Sequence, residues 1–143
     1  MLSREDIQEI IPHRNEMLLV DEAEKLNDTQ AVGFYTVKGD EWFIRGHFPG
    51  HPVVPGVILC EMIAQTCCVI ILEKGNTKIP YYAGIKNARF LSAVTPGDTV
   101  QFDCTLNKQK PPFYFVSAVG SVNGKPCVSG EFTFALMDGA EVA

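Results

Sequence analysis

Val57-Ile58-Leu59-Cys60-Glu61-Met62-Ile63-Ala64-Gln65-Thr66-Cys67-Cys68-Val69-Ile70-Ile71-Leu72-Glu73-Lys74 is an apolar run of 18 residues closed by Gly75. Its length favours a helix over a strand, and glycine suits the position just past a helix end. A helix that is apolar almost all the way round is buried on most sides rather than laid on a surface. Glu61 and Gln65 in its middle make it only a marginal candidate for spanning a bilayer. The expectation is a helix at the centre of a soluble fold, with no membrane partner.

The sequence on either side says what surrounds that helix. Ser3 followed by Arg4-Glu5-Asp6-Ile7-Gln8-Glu9-Ile10-Ile11 reads as a short capped surface helix, acidic in its first turn and stopped by Pro12. Residues 18–26 and 30–37 are strand-like, and Asn27-Asp28-Thr29 between them is hairpin turn chemistry. Four further strand-like stretches follow, 81–91, 99–107, 113–122 and 125–137, with Thr95-Pro96-Gly97-Asp98 and Asn123-Gly124 as turns. Consecutive strands on short turns favour an antiparallel sheet. The fold class is α+β: one domain, residues 1–143, in which the sheet wraps around one long buried helix.

With 12 basic and 17 acidic residues and a net charge of −5, the chain as a whole does not look like a binder of nucleic acid. Arg4, Glu5, Asp6 and Glu9 interrupt what would have to be the apolar part of a signal peptide, so a cytoplasmic location is expected. Cys60, Cys67, Cys68, Cys104 and Cys127 are odd in number and none is spaced C-x-x-C, which argues against a disulfide framework or zinc knuckle. Reduced, buried thiols are the plain reading.

Chemistry concentrates around the start of the helix. Glu61 and Gln65 are four apart and share a face. Burying a carboxylate in apolar surroundings disfavours its charged form, which suits a group that holds and delivers a proton. A core glutamate satisfied by Gln65 is the structural alternative. Just upstream, Gly46-His47-Phe48-Pro49-Gly50-His51-Pro52-Val53-Val54-Pro55-Gly56 holds two histidines on constrained backbone. Its prolines fix dihedrals and its glycines allow close approach, so the loop can pin His47 while aiming the first free N–H groups of the helix, near Gly56, at negative charge. An imidazole, a carboxylate and an oxyanion-stabilising helix end are the parts for proton abstraction beside a carbonyl. His47, His51 and Glu61 as metal ligands is the weaker alternative, because Pro49 and Pro52 preclude a helix that would face both rings one way. No metal is expected.

Taken in order, Ile11-Pro12-His13-Arg14, Leu18-Leu19-Val20-Asp21, Gly46-His47-Phe48-Pro49-Gly50, Pro55-Gly56-Val57 and Glu61-Met62-Ile63-Ala64-Gln65 resemble the (3R)-hydroxyacyl-acyl-carrier-protein dehydratases of bacterial type II fatty acid synthesis. Tyr81-Tyr82-Ala83-Gly84-Ile85, Ala88-Arg89-Phe90 and Val94-Thr95-Pro96-Gly97-Asp98 extend the likeness over nearly the whole chain. The resemblance implies the hotdog fold, a homodimer with shared active sites, often assembled as a trimer of dimers, and no cofactor. It implies His47 and Glu61 as the catalytic pair, drawn from different subunits. The Gly56 amide would polarise the thioester carbonyl, the Val53 carbonyl would orient His47, Gln65 would hold Glu61, and Tyr81 would gate the acyl tunnel. His51 falls at a permissive position.

Cys60 departs from the family's usual aliphatic residue, and Cys67-Cys68 from its usual small ones. Both changes are of a size to fit a helix packed at an interface or along a tunnel. The implied partner, acyl carrier protein, is acidic, so docking on this acidic chain would need local positive charge, with Arg45, Lys86 and Arg89, or Lys108 and Lys110, as candidates. Three rival functions remain at this stage. They are a dehydratase that also isomerises trans-2 to cis-3 double bonds, a non-catalytic module that senses acyl thioesters, and a thioesterase.

Overall fold

The computed structural model describes residues 1–45 and 50–138. Its elements in chain order are α1 (Arg4–Gln8), a single 3-10 turn (Asn15–Met17), β1 (Glu22–Asn27), β2 (Gln30–Thr36), α2 (Trp42–Arg45) and α3 (Gly56–Ile71). Four long strands complete it: β3 (Lys78–Phe90), β4 (Thr99–Lys110), β5 (Phe113–Val122) and β6 (Lys125–Asp138). The six strands form one antiparallel sheet in the order β1-β2-β4-β5-β6-β3. The sheet curls around α3, the hotdog arrangement.

Twelve of the sixteen residues of α3 are buried, which makes this helix the core rather than a cover. Met62, Ile63 and Cys67 share one core cluster with Phe102, Phe132 and Phe134 of the sheet, all fully enclosed. Close approach needs a gap in the sheet wall. Gly33 on β2 supplies it, since a Cβ there would lie 2.3 Å from the Thr66 hydroxyl. All five cysteines are free and buried. Cys67 packs against Cys104 of β4 within the core, so the Cys67-Cys68 pair serves helix–sheet packing rather than an interface.

Several expectations are corrected. The first helix has the expected cap, with Ser3 and Asp6 bonded reciprocally, but it is not a purely surface element: Ile7, Ile10 and Ile11 from this region are buried in the core. Residues 18–20 are not strand. They are buried, irregular chain: the Leu19 N–H donates to Gln65 of α3 and the Leu18 N–H to the Asn15 carbonyl, rather than to a neighbouring strand. The central helix ends at Ile71, short of Lys74, as Leu72 turns extended. Gly75 then takes a positive φ of 82° in the following turn, where its N–H donates to the carbonyl of Glu9. Helix α2, four residues long, was not foreseen.

Candidate active site

Glu61 sits in the second turn of α3, with its side chain 23% exposed. The carboxylate is therefore at the edge of the core, open to water, rather than sealed inside it. One turn on, Gln65 is completely buried, and its amide is fully engaged. Its Oε1 accepts the Leu19 backbone N–H at 2.8 Å, while Nε2 donates to the Met17 carbonyl at 2.7 Å and to Glu61 Oε2 at 3.0 Å. An N–H on one side and a carbonyl on the other leave only one orientation of the amide that satisfies all three. Gln65 thus turns a rigid piece of backbone into a hydrogen-bond donor aimed at the carboxylate.

That backbone is shaped for the task. Pro12 follows the α1 region, and Asn15 takes φ +56°, a left-handed conformation that asparagine tolerates better than most residues. The Arg14 guanidinium spans the bend, donating to the carbonyls of Gln8 and His13 at 2.7 Å each and of Ile11 at 2.8 Å. Within this bend His13 points its Nε2 to 3.2 Å from Glu61 Oε2. Residues 11–19 therefore frame the carboxylate from outside the helix. His13 carried no site role in the sequence reading; the only signal was its place in the Ile11-Pro12-His13-Arg14 motif.

The opposite side of the site is the start of α3. Pro55 precedes the helix and its carbonyl accepts from Ile58 and Leu59, so the N–H of Gly56 belongs to the first turn, which has no intrahelical acceptor. Gly56 is glycine for a steric reason: a Cβ would stand 2.7 Å from the Phe90 ring. The Val54 N–H donates to the Val94 carbonyl at 2.9 Å, which ties the proline-rich segment to the sheet side. Val53 lies in this segment, beside a groove lined by Pro55, Val57, Leu59, Phe90 and Leu91. Val57 is 74% exposed, an apolar lip at the helix start.

His47, with Gly46, Phe48 and Pro49, lies outside the described residues. His51 is exposed. The approach to this loop is held by a polar knot the sequence did not announce. Glu41 receives the backbone N–H groups of Lys38 and Gly39, at 2.9 and 2.7 Å, and the Tyr35 hydroxyl at 2.7 Å. Burial alone would raise the Glu41 carboxyl, but these donors more than offset it and hold it below the ordinary value. Burial, reinforced by Glu41, pushes the Tyr35 hydroxyl well above its usual range, so it remains a donor.

Tyr81 and Tyr82 separate on β3. Tyr81 is exposed, whereas Tyr82 turns inward and donates its hydroxyl to the Cys60 carbonyl of α3. Burial, followed by the neighbouring Cys67, Cys60 and Glu61, keeps that hydroxyl protonated far above its usual range. Burial and then the charge of Glu61 likewise raise the thiols of Cys60 and Cys68, which removes both as nucleophiles. Among the described residues no group of three or more His, Cys, Asp or Glu side chains could hold a metal ion.

Glu61 on α3, with the Gly56 amide about one and a half turns before it, is an arrangement that suits acid–base chemistry. Residues 11–131 match the model of the FabA-like domain. Over 139 residues the chain is 41% identical to the 3-hydroxyacyl-[acyl-carrier-protein] dehydratase FabZ of Halalkalibacterium halodurans, covering 95% of this chain and 99% of that one. Among solved structures, two that share the fold at low identity stand for the range. The dehydratase heterocomplex ApeI:P from Xenorhabdus doucetiae has a TM-score of 0.81 at 21% identity, over 99% of this chain and 95% of that one. The fluoroacetyl-CoA thioesterase FlK has a TM-score of 0.67 at 13% identity, over 83% and 93%. The chain belongs to the FabA-like family, and its full-length likeness is to the dehydratases within it.

Proposed function

We infer that the chain removes water from (3R)-hydroxyacyl-acyl-carrier-protein in fatty acid biosynthesis, giving the trans-2-enoyl thioester, and that His47 and Glu61 carry the reaction. The observation that carries this reading is the Glu61 carboxylate held on Oε2 by Gln65 at the open end of α3, in a chain that matches a dehydratase from end to end. Binding an acyl thioester needs no such proton carrier, which disfavours a passive module. The thioesterase neighbour shows that the fold alone does not select the reaction.

Neutral His47 takes the C2 proton. The Gly56 amide and the positive end of α3 stabilise the enolate charge that forms on the thioester oxygen. Glu61 gives a proton to the C3 hydroxyl, the C3–O bond breaks, and water leaves as the C2–C3 double bond forms. The C2 proton returns from His47 to solvent and Glu61 is reprotonated, so no cofactor is consumed. The Val53 carbonyl orients His47, and Tyr81 gates the acyl tunnel.

The working unit is a homodimer in the cytoplasm, assembled further as a trimer of dimers, with His47 of one chain facing Glu61 of the other. Support comes from β3, an edge strand whose Tyr81, Ile85 and Phe90 are 40, 50 and 55% exposed. An open strand of this length with apolar side chains invites pairing with a second copy. Lys86 and Arg89 on the same strand and Arg45 at the end of α2 are exposed cations suited to an acidic carrier protein.

The test is hydration of a trans-2-enoyl thioester, the reverse reaction, followed as loss of enoyl absorbance. His47→Ala and Glu61→Gln are each expected to lose roughly 10²–10⁴-fold in kcat, while His51→Ala stays within about twofold, as befits an exposed surface side chain. Wild-type rates in both His47→Ala and Glu61→Gln would overturn the mechanism. Accumulation of a cis-3 product would add isomerase activity to it.

A further inference from the structure

Gln65 makes one contact on Glu61; among the described residues a second comes from His13, whose Nε2 lies 3.2 Å from the same oxygen, Oε2. His13 Nδ1 is buried and has no hydrogen-bond partner among the described residues. A proton on Nδ1 would be a buried donor with nothing to bond, whereas a proton on Nε2 meets a carboxylate oxygen. The burial of Nδ1 without a partner favours the tautomer that carries the proton on Nε2, facing Glu61 Oε2. Arg14 holds the backbone of this bend through the carbonyls of Gln8, Ile11 and His13, so the ring is set by a stapled turn rather than by a mobile loop.

We propose that His13 is a positioning residue for the dehydration: with Gln65 it holds Glu61 Oε2 from two sides and thereby assigns Oε1 to the substrate hydroxyl. The proposal rests on Glu61 as the working carboxylate. A hydrogen bond from Gln65 and the His13 ring nitrogen 3.2 Å away, both on Oε2, restrict the turning of the carboxylate about its last torsion, which is otherwise broad. The reacting oxygen is then presented in one direction, and orientation of this kind governs rate rather than affinity. His13 touches no reacting atom, so its loss shows in kcat.

The experiment measures kcat and KM for hydration of a trans-2-enoyl thioester by the full-length protein as His13→Leu, His13→Gln, Glu61→Gln and the double variant of His13→Leu with Glu61→Gln. Expected for His13→Leu is a kcat lower by roughly ten- to a hundredfold with KM within about twofold. His13→Gln, whose side-chain amide supplies an N–H at similar reach, recovers most of the rate. In the Glu61→Gln background His13→Leu costs little more, because the group it positions is gone. Normal kcat in His13→Leu with an inactive Glu61→Gln would overturn the role of His13 alone. So would equal losses in His13→Leu and His13→Gln, or an additive loss in the double variant. Normal kcat in Glu61→Gln would overturn the catalytic reading beneath it. Should His13→Leu not fold, ¹⁵N shifts of the His13 ring in the wild-type protein decide. A proton on Nε2 with Nδ1 bare supports the proposal, and a proton on Nδ1 overturns it.

Discussion

The two halves of the site are held by different physics. The carboxylate half is fixed by polar contacts: Gln65 and His13 on Glu61, Leu19 and Met17 on Gln65, and Arg14 on the bend that carries them. The proposed oxyanion half is fixed by shape. Pro55 sets the entry to α3, Gly56 leaves room for the Phe90 ring, and the backbone bond from Val54 to Val94 ties the segment to the sheet side. A group that must keep one of two equivalent oxygens free needs directional bonds. A backbone N–H is already directional, so there it is enough to keep side chains out of the way.

The comparison is broken most severely at Gln65. Gln65→Leu keeps the volume and removes every polar link, leaving the Leu19 N–H and Met17 carbonyl without their partner and Glu61 loose. Expected is a destabilisation of about 1–3 kcal/mol for each stranded group, read as a lower denaturant midpoint, together with a fall in kcat of at least about tenfold. A variant with wild-type stability would show that the frame of residues 11–19 is held by packing alone.

Gly56→Ala tests the other half with a smaller effect. The new methyl meets the edge of Phe90, a ring that is 55% exposed in the single chain, so the stability of the single-chain fold should change by less than about 1 kcal/mol. Activity should fall by about ten- to a hundredfold as the displaced ring crowds the thioester site. Adding Phe90→Ala should restore part of it. A Gly56→Ala protein that loses stability but not rate would reverse the contrast between the halves.

How much of this was legible in the sequence follows from the range of the interactions. α3 was readable because its apolar run is continuous, and β5 (Phe113–Val122) was bounded to the residue by its turns. The Glu61–Gln65 pair was readable because its members are one helical turn apart. The frame was not. The bond from Leu19 to Gln65 joins residues 46 apart, and no periodicity announces it. That bond and the one from the Leu18 N–H to the Asn15 carbonyl take up backbone groups that a strand would pair, so residues 18 and 19, apolar enough to look like strand, are not. α2 is too short to leave a repeat; it is held by its buried Phe43 and Ile44 and by backbone bonds from Ile44 and Arg45 to the Glu41 carbonyl, again a matter of contacts rather than pattern.

The central claim is that a carboxylate framed by one chain works with the histidine of another. Co-expressing His47→Ala and Glu61→Gln chains tests it directly, since each variant alone forms only defective sites. A mixed dimer has one site with both residues intact if the pair is drawn from two chains, and none if it is drawn from one. With random pairing, about a quarter of the wild-type hydration rate is expected to return. A mixture no more active than either parent, with mixed dimers verified by mass, would contradict the account.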